Sequence, residues 1–267
     1  MQKNMSGFWQ LSPLTDLSIP QGDLQFPGAI SQILPNALSE QAIAEQEWHL
    51  MHDFDLNEQD LSHPAVDLVF AGVEHFAEIR VNGVAVMDCD GSELVYRKDV
   101  RAHLQDGRNR IEVLFLEYDE DDLLIESNPP LKQCPLGEYA AGNDPRMGIW
   151  AMPYLQFISH VRLEYVATEQ IWHHGGGCEF KVDLYYKTYR PGLLSALVKF
   201  NGMTYSLPID VRKQQASALF QIEAPRYTDL ASPNSADAYQ LTVELDGQEQ
   251  VLDVVLNREL CATHCPL

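Results

Sequence analysis

Between Ala140 and Trp150 the sequence reads AAGNDPRMGIW. Asn143, Asp144, Arg146 and Trp150 stand there in a short glycine-bracketed loop, with Tyr139 just ahead of it. A carboxylate accepts hydrogen bonds from hydroxyls, a guanidinium and a carboxamide donate them, and an indole offers a flat apolar face. Such a set suits a pocket for a sugar or an acid. The same residues admit a structural reading, in which Asp144 and Arg146 pair to pin the loop and Trp150 packs beneath a sheet. Asp144, Arg146, Asn143, Tyr139 and Trp150 are the candidate substrate-binding residues, and no residue is assigned a catalytic role.

Other chemistry-bearing clusters are weaker. His173, His174 and Cys178 surround a Gly-Gly-Gly run, but adjacent histidines project apart and no fourth metal ligand is indicated, so a flexible linker is expected. Cys261, His264 and Cys265 are zinc-compatible types without a second pair. Asp88, Asp90 and Glu93 echo part of a calcium loop but lack its distal bidentate glutamate, and a hairpin turn is expected there. Neither a phosphate-binding Gly-x-x-x-x-Gly-Lys loop nor a Gly-x-Ser-x-Gly elbow occurs. No metal and no cofactor are expected.

Across the 267 residues, 39 acidic side chains against 18 Lys and Arg leave a formal charge of −21, which argues against nucleic acid or an anionic membrane as partner. The acidic run Glu117 to Asp122 is expected to be a solvated loop. No apolar stretch reaches the length of a membrane span, and the N-terminus lacks the apolar core of a secretory signal. Five cysteines, scattered and odd in number, fit reduced thiols. A cytoplasmic protein is expected.

The elements that must position the loop are strands. FAEIRV, residues 76 to 81, alternates with Ala77, Ile79 and Val81 on one face and runs into Asn82-Gly83, a hairpin signal. RIEVLFLEY, residues 110 to 118, is apolar on both faces, as inside a sandwich. MPYLQFISHVRLEYV, residues 152 to 166, is either one long strand or two around a kink. After Val166 the three glycines mark an expected domain boundary, followed by strands over Glu179–Thr188, Leu194–Phe200, Thr204–Val211, Ala216–Ile222 and Tyr239–Leu245, with Asp246-Gly247 turning into Glu249–Leu256. The residues RELCATHCPL read as a tail.

The ordered series IPQGDLQFPGAISQIL, EQEWHLMHDFDL, VDLVFAGVEHFAEIRVNGVAVMDCDG, YRKDVRAHLQDGRNRIEVLF and GIWAMPYLQFI resembles the N-terminal sugar-binding domain of glycoside hydrolase family 2, and within it the β-mannosidases. The resemblance implies an all-β chain: a jelly-roll, galactose-binding-like β-sandwich over 1–166, an immunoglobulin-like β-sandwich over 167–258, and a tail over 259–267. Within the motifs, Gly72 and Gly83 suit sharp turns, Asn82 a left-handed position, and Asn109 the closure of a loop.

In that family the acid/base and nucleophile are two glutamates on a (β/α)8 barrel that follows the sandwiches. A retaining mechanism holds them about 5 to 5.5 Å apart, and a barrel takes about 250 residues. Only a short tail follows Leu256, so the chain alone is expected to be inactive. The resemblance further implies that the Asp144 loop corresponds to a Gly-Trp-Asp-Trp-Gly type segment reaching into the barrel pocket. Gly142 and Asp144 match it; Asn143 replaces the first tryptophan and the second is lost before Pro145-Arg146. The expected partners are a carbohydrate, mannoside-like or another glycoside, and either a separate catalytic barrel subunit or further copies of the chain. A free-standing carbohydrate-binding module, with Trp172 added to the site, or an assembly protein is the alternative.

Overall fold

Strict alternation of side chains lays down the long strands of the first half. In WHLMHDFDL, Trp48, Leu50, His52, Phe54 and Leu56 are buried while the alternate residues face outward. The computed structural model describes residues 1–24, 28–29, 38, 42–43, 46–74, 76–90, 95–116, 148–149, 151–174, 176–226, 238–257 and 262–266. They form two compact units, Gln2–Phe157 and Ile158–Leu267, the latter including Met1. None of the described helices is long and apolar enough to cross a membrane.

The first unit holds β1 (Gln2–Asn4), β2 (Trp9–Pro13), β3 (Gly22–Leu24), β4 (Gly28–Ala29), β5 (Trp48–Leu56), β6 (Ala65–Ala71), β7 (Val73–Glu74), β8 (Ala77–Val81), β9 (Val84–Cys89), β10 (Val95–Asp99), β11 (Gly107–Phe115), β12 (Gly148–Ile149) and β13 (Tyr154–Ile158). A six-stranded sheet in the order β3-β2-β5-β11-β8-β9 and a four-stranded sheet, β1-β13-β6-β10, enclose one core; a small sheet, β4-β12-β7, stands beside them. This is a jelly-roll, galactose-binding-like sandwich. Trp9, Trp48, Phe70, Phe115 and Phe157 lie in its core without exposed surface, each contributing about 1.5 to 3 kcal/mol by leaving water. Both indoles keep a hydrogen bond as they are buried: Trp9 Nε1 donates to the Met5 carbonyl and Trp48 Nε1 to that of Ile43, each at 3.1 Å.

The Asn82-Gly83 hairpin between β8 and β9 forms as expected, with φ of 50° and 80°. Asn82 and Asn109 lock it to the neighbouring loop. Asn82 Nδ2 donates to the His103 carbonyl at 2.8 Å and to Asn109 Oδ1 at 2.9 Å, and Asn82 Oδ1 accepts from the Arg110 amide at 2.9 Å. Asn109 in turn donates to the carbonyls of Gln105 and Gly107 and accepts from the Gln105 amide.

The second unit holds β14 (Val161–Trp172), β15 (Cys178–Thr188), β16 (Leu194–Phe200), β17 (Met203–Ile209), β18 (Gln215–Ile222), β19 (Tyr239–Leu245), β20 (Gln248–Val254) and β21 (Ala262–Pro266). Two four-stranded sheets, β18-β15-β14-β21 and β17-β16-β19-β20, make an immunoglobulin-like sandwich. Its core is an aromatic stack: Phe200 has ring centroids 4.2 Å from Phe180, 5.3 Å from Tyr239 and 5.5 Å from Phe220. The Tyr239 hydroxyl, at the start of its strand, accepts the Arg226 amide at 2.8 Å.

The apolar run 152 to 166 is two strands, β13 and β14, in different sheets, broken at Ser159-His160. The expected boundary at 166/167 falls inside β14, which pairs with β15 from Val161↔Thr188 through to Trp172↔Cys178. The glycine triplet therefore serves a hairpin tip, closed by the His173 amide on the Gly177 carbonyl at 3.0 Å, rather than a linker. Residues 262–266 of the expected tail pair with Tyr165–Glu169 as an edge strand. The hairpin expected at DCDGSE involves Gly91, Ser92 and Glu93, which lie outside the described residues; β9 before it and β10 after it belong to different sheets.

Candidate functional site

Asp144, Arg146, Asn143, Tyr139 and Trp150 lie outside the described residues, as does the acidic run 117–122. What the structure places is the root of the loop that carries them. Its outgoing end is the last residue of β11, Phe115, registered between Trp48 and Ala77, with the Leu116 amide donating to the Phe76 carbonyl at 3.4 Å. Its returning end is β12, where Gly148 pairs with Ala29 and Glu74, and Ile149 with Gly28 and Val73. Glu74 and Phe76 are two residues apart in the chain, a span of at most about 7 Å. Both ends of the loop are thus fastened to one short stretch at one end of the sandwich. Ile149 and Val73 are fully buried, so the apolar core itself holds the returning end. Sequence reasoning did not single out Gly28–Ala29 and Val73–Glu74 as this floor, because two-residue strands carry no periodicity to detect.

The remaining candidates are dispersed. Trp172 is partly buried and packs against the core of the second sandwich. His173 Nε2 lies 3.4 Å from Glu179 Oε1, His174 is exposed and Cys178 is buried. Burial pushes the Cys178 thiol up, away from nucleophilic thiolate chemistry. No group of three or more His, Cys, Asp or Glu residues capable of holding a metal occurs among the described residues. Cys261 lies outside them, while His264 and Cys265 fall on β21, in register with Ala167 and Val166.

The carboxylates with displaced pKa values are held in their charged form by hydrogen bonds and ion pairs. On the outer face of the six-stranded sheet, Asp53 is brought down to about 2 by hydrogen bonds from Arg110, at 2.8 and 3.2 Å, and from Arg108. At Asp183, burial works to raise the pKa but is outweighed by the Ser217 hydroxyl at 2.5 Å and the Lys181 ammonium at 2.9 Å, and the net direction is down. Asp16 and Asp210 are lowered as well, by Ser18 and Arg212. A general acid working near neutral pH needs the opposite shift, and none of the displaced carboxylates among the described residues has it.

The chain thus places a jelly-roll sandwich before an immunoglobulin-like one, with residues 115–116 and 148–149 fastened at the edge of the first. Residues 22–150 match the family described as glycosyl hydrolase 2 galactose-binding domain-like. Among solved structures, the chain superposes on a β-D-mannosidase from Dictyoglomus thermophilum with a TM-score of 0.67 at 16% identity, covering 95% of this chain and 36% of that one. It resembles a β-galacturonidase from Eisenbergiella tayi bound to galacturonate with a TM-score of 0.64 at 15% identity, covering 96% and 43%. A similar likeness, with a TM-score of 0.63 at 15% identity covering 96% and 41%, holds for a putative β-galactosidase from Bacteroides fragilis. The chain thus spans less than half the length of these relatives. No protein of curated function matches it in sequence.

Proposed function

We infer that this chain is a non-catalytic, carbohydrate-directed portion of a family 2 glycoside hydrolase, working with a catalytic (β/α)8 barrel that supplies the two glutamates. The observation that carries this reading is the match over 22–150, which ends at the returning root of the Asp144 loop. Asp144 then accepts hydrogen bonds from sugar hydroxyls and Arg146 donates to them or fixes Asp144. Nothing aromatic stands in place of the two lost tryptophans, so affinity for a free sugar is weak until the barrel closes the pocket. The buried thiols Cys89 and Cys178 support a reducing, cytoplasmic setting.

Calorimetric titration of the full chain with mannosides, galactosides and glucuronides tests the reading, alone and with a candidate barrel protein. Asp144→Ala and Arg146→Ala are each expected to weaken glycoside binding or barrel-dependent hydrolysis about tenfold or more, the loss of a charge-assisted hydrogen bond. The chain alone is expected to leave nitrophenyl glycosides unhydrolysed. Hydrolysis by the purified chain, or full activity in both variants, would overturn it. A free-standing binding module is the second reading, favoured if the chain alone binds a glycoside and no barrel alters that affinity.

A further inference from the structure

A free sheet edge is a row of unpaired N–H and C=O groups, and proteins guard such edges with charge, proline or short length. Most edges here are guarded in that way. β10 carries Arg97, Lys98 and Asp99; β9 carries Asp88; β17 carries Pro208; β20 carries Glu249 and Asp253. β18 is different. It closes one edge of its sheet, paired only with β15 among the described residues, and its eight residues, Gln-Ala-Ser-Ala-Leu-Phe-Gln-Ile, include no charge, proline or glycine. The opposite edge of the same sheet is covered by β21.

The phase of the ladder identifies the groups that are available. The Tyr186 amide donates to the Gln214 carbonyl at 3.0 Å, which extends the register Leu184↔Ala216 and makes the even-numbered residues of β18 the ones bonded to β15. The N–H and C=O groups of Ser217, Leu219 and Gln221 therefore point away from β15, toward the open edge. The carbonyl of Gln215 is already approached by the Tyr186 hydroxyl at 3.4 Å. The unoccupied stretch is thus centred on Leu219, whose side chain is 44% exposed on the outer face.

We propose that β18 pairs antiparallel with β18 of a second copy of this chain, about a two-fold axis at Leu219, so that two four-stranded sheets become one. This register opposes Ser217 to Gln221 and Leu219 to Leu219, keeps inward side chains opposite inward ones, and covers the exposed leucine. Two chains of formal charge −21 repel each other, so a contact between them is best made where that charge is locally absent. β18 is neutral, and Arg212 and Lys213 precede it. In the two-fold register Lys213 of each copy lies diagonal to Glu223 of the other, a complementary pair at each end.

Sedimentation velocity of the full chain from about 1 to 100 µM tests the proposal, with the weight-average mass expected to rise from that of one chain toward that of two. Leu219→Lys puts like charges opposite each other at the axis. Gln221→Pro removes an amide that faces the open edge and leaves the β15 ladder intact. Each variant is expected to weaken association roughly tenfold or more, with far-UV circular dichroism and the Tm of dilute protein unchanged. Hydrogen exchange at Ser217, Leu219 and Gln221 is expected to slow with concentration. The proposal is overturned if the chain stays monomeric over this range, if both variants dimerise as the parent does, or if those amides are protected regardless of concentration. Protection that arises only when a different protein is added overturns it too, by assigning the edge to that partner.

Discussion

Asn109 is 1% exposed and spends both ends of its carboxamide on the loop before β11, while also holding Asn82 from the opposite hairpin. Asn109→Ala takes their Asn109 partner from the Gln105 amide and two carbonyls and leaves Asn82 Nδ2 with the His103 carbonyl alone, and is expected to cost about 2 to 3 kcal/mol in urea denaturation. Asn201 provides the control. It occupies the left-handed turn position that Asn82 takes, φ 49°, on an exposed hairpin, and Asn201→Ala is expected to cost only about 1 kcal/mol, the penalty of that conformation. A loss at Asn109 no larger than at Asn201 would show that the network adds little to stability. Asp53 gives a pH-dependent test. Its folded pKa of about 2 lies below the ordinary 3.8, so its contribution is fully present above that ordinary value and is lost as pH falls toward 2. Thermal unfolding of Asp53→Asn should therefore be less sensitive to pH between 5 and 2 than that of the parent, by a margin that salt reduces because the pair is partly exposed. Both turn asparagines were legible from their neighbours in sequence. The bond from Asn82 to Asn109 was not, because it joins residues that only strand pairing brings together.

Among the elements, the entry into the second unit turns on one carboxylate. Asp246, in the β19–β20 turn at φ 48°, accepts the backbone amides of His160 and Val161 on the same oxygen, at 2.6 and 2.9 Å. The His160 carbonyl meanwhile accepts the amides of Tyr189 and Arg190. Asp246→Ala removes two charge-assisted bonds and is expected to cost about 2 to 4 kcal/mol, whereas Asp246→Asn keeps an acceptor and the tolerance of a left-handed turn, and should lose less than half as much. Differential scanning calorimetry checks the assignment: the Asp246 variants should lower the transition of the second unit and the Asn109 variant that of the first. If Asp246→Ala and Asp246→Asn are equally destabilising, the charge rather than the acceptor carries the effect. The elements also show why the glycine triplet misled. Three glycines mark a place where regular structure is expensive, and both a linker and a hairpin tip satisfy that condition. The ladder that decides between them runs from Val161 to Cys178 on either side of the tip, across residues whose alternation is blurred by a bulge between Leu163 and Tyr165.

At the scale of the molecule, each unit has its own aromatic core, Trp9, Trp48, Phe70, Phe115 and Phe157 in one, Phe180, Phe200, Phe220 and Tyr239 in the other. Period-two alternation, as in Ala77, Ile79 and Val81, was visible in sequence. So were the Asn-Gly and Asp-Gly turns, and these two local signals suffice for an all-β chain of two sandwiches, since alternation and turn chemistry act between residues a few positions apart. The order of strands within each sheet is not local. That β12 is held between β4 and β7, so that both ends of the Asp144 loop meet at one end of the first sandwich, depends on pairing among segments far apart in the chain. So does the exposure of β18. Its uncharged sequence reads like any buried strand, and only its place at the rim of a sheet turns that composition into an open edge. The sequence by itself determined which residues form strands and where the chain turns. The tertiary structure alone decided which strands are neighbours, because hydrogen-bond partners in a sheet are chosen by the packing of whole faces against a common core.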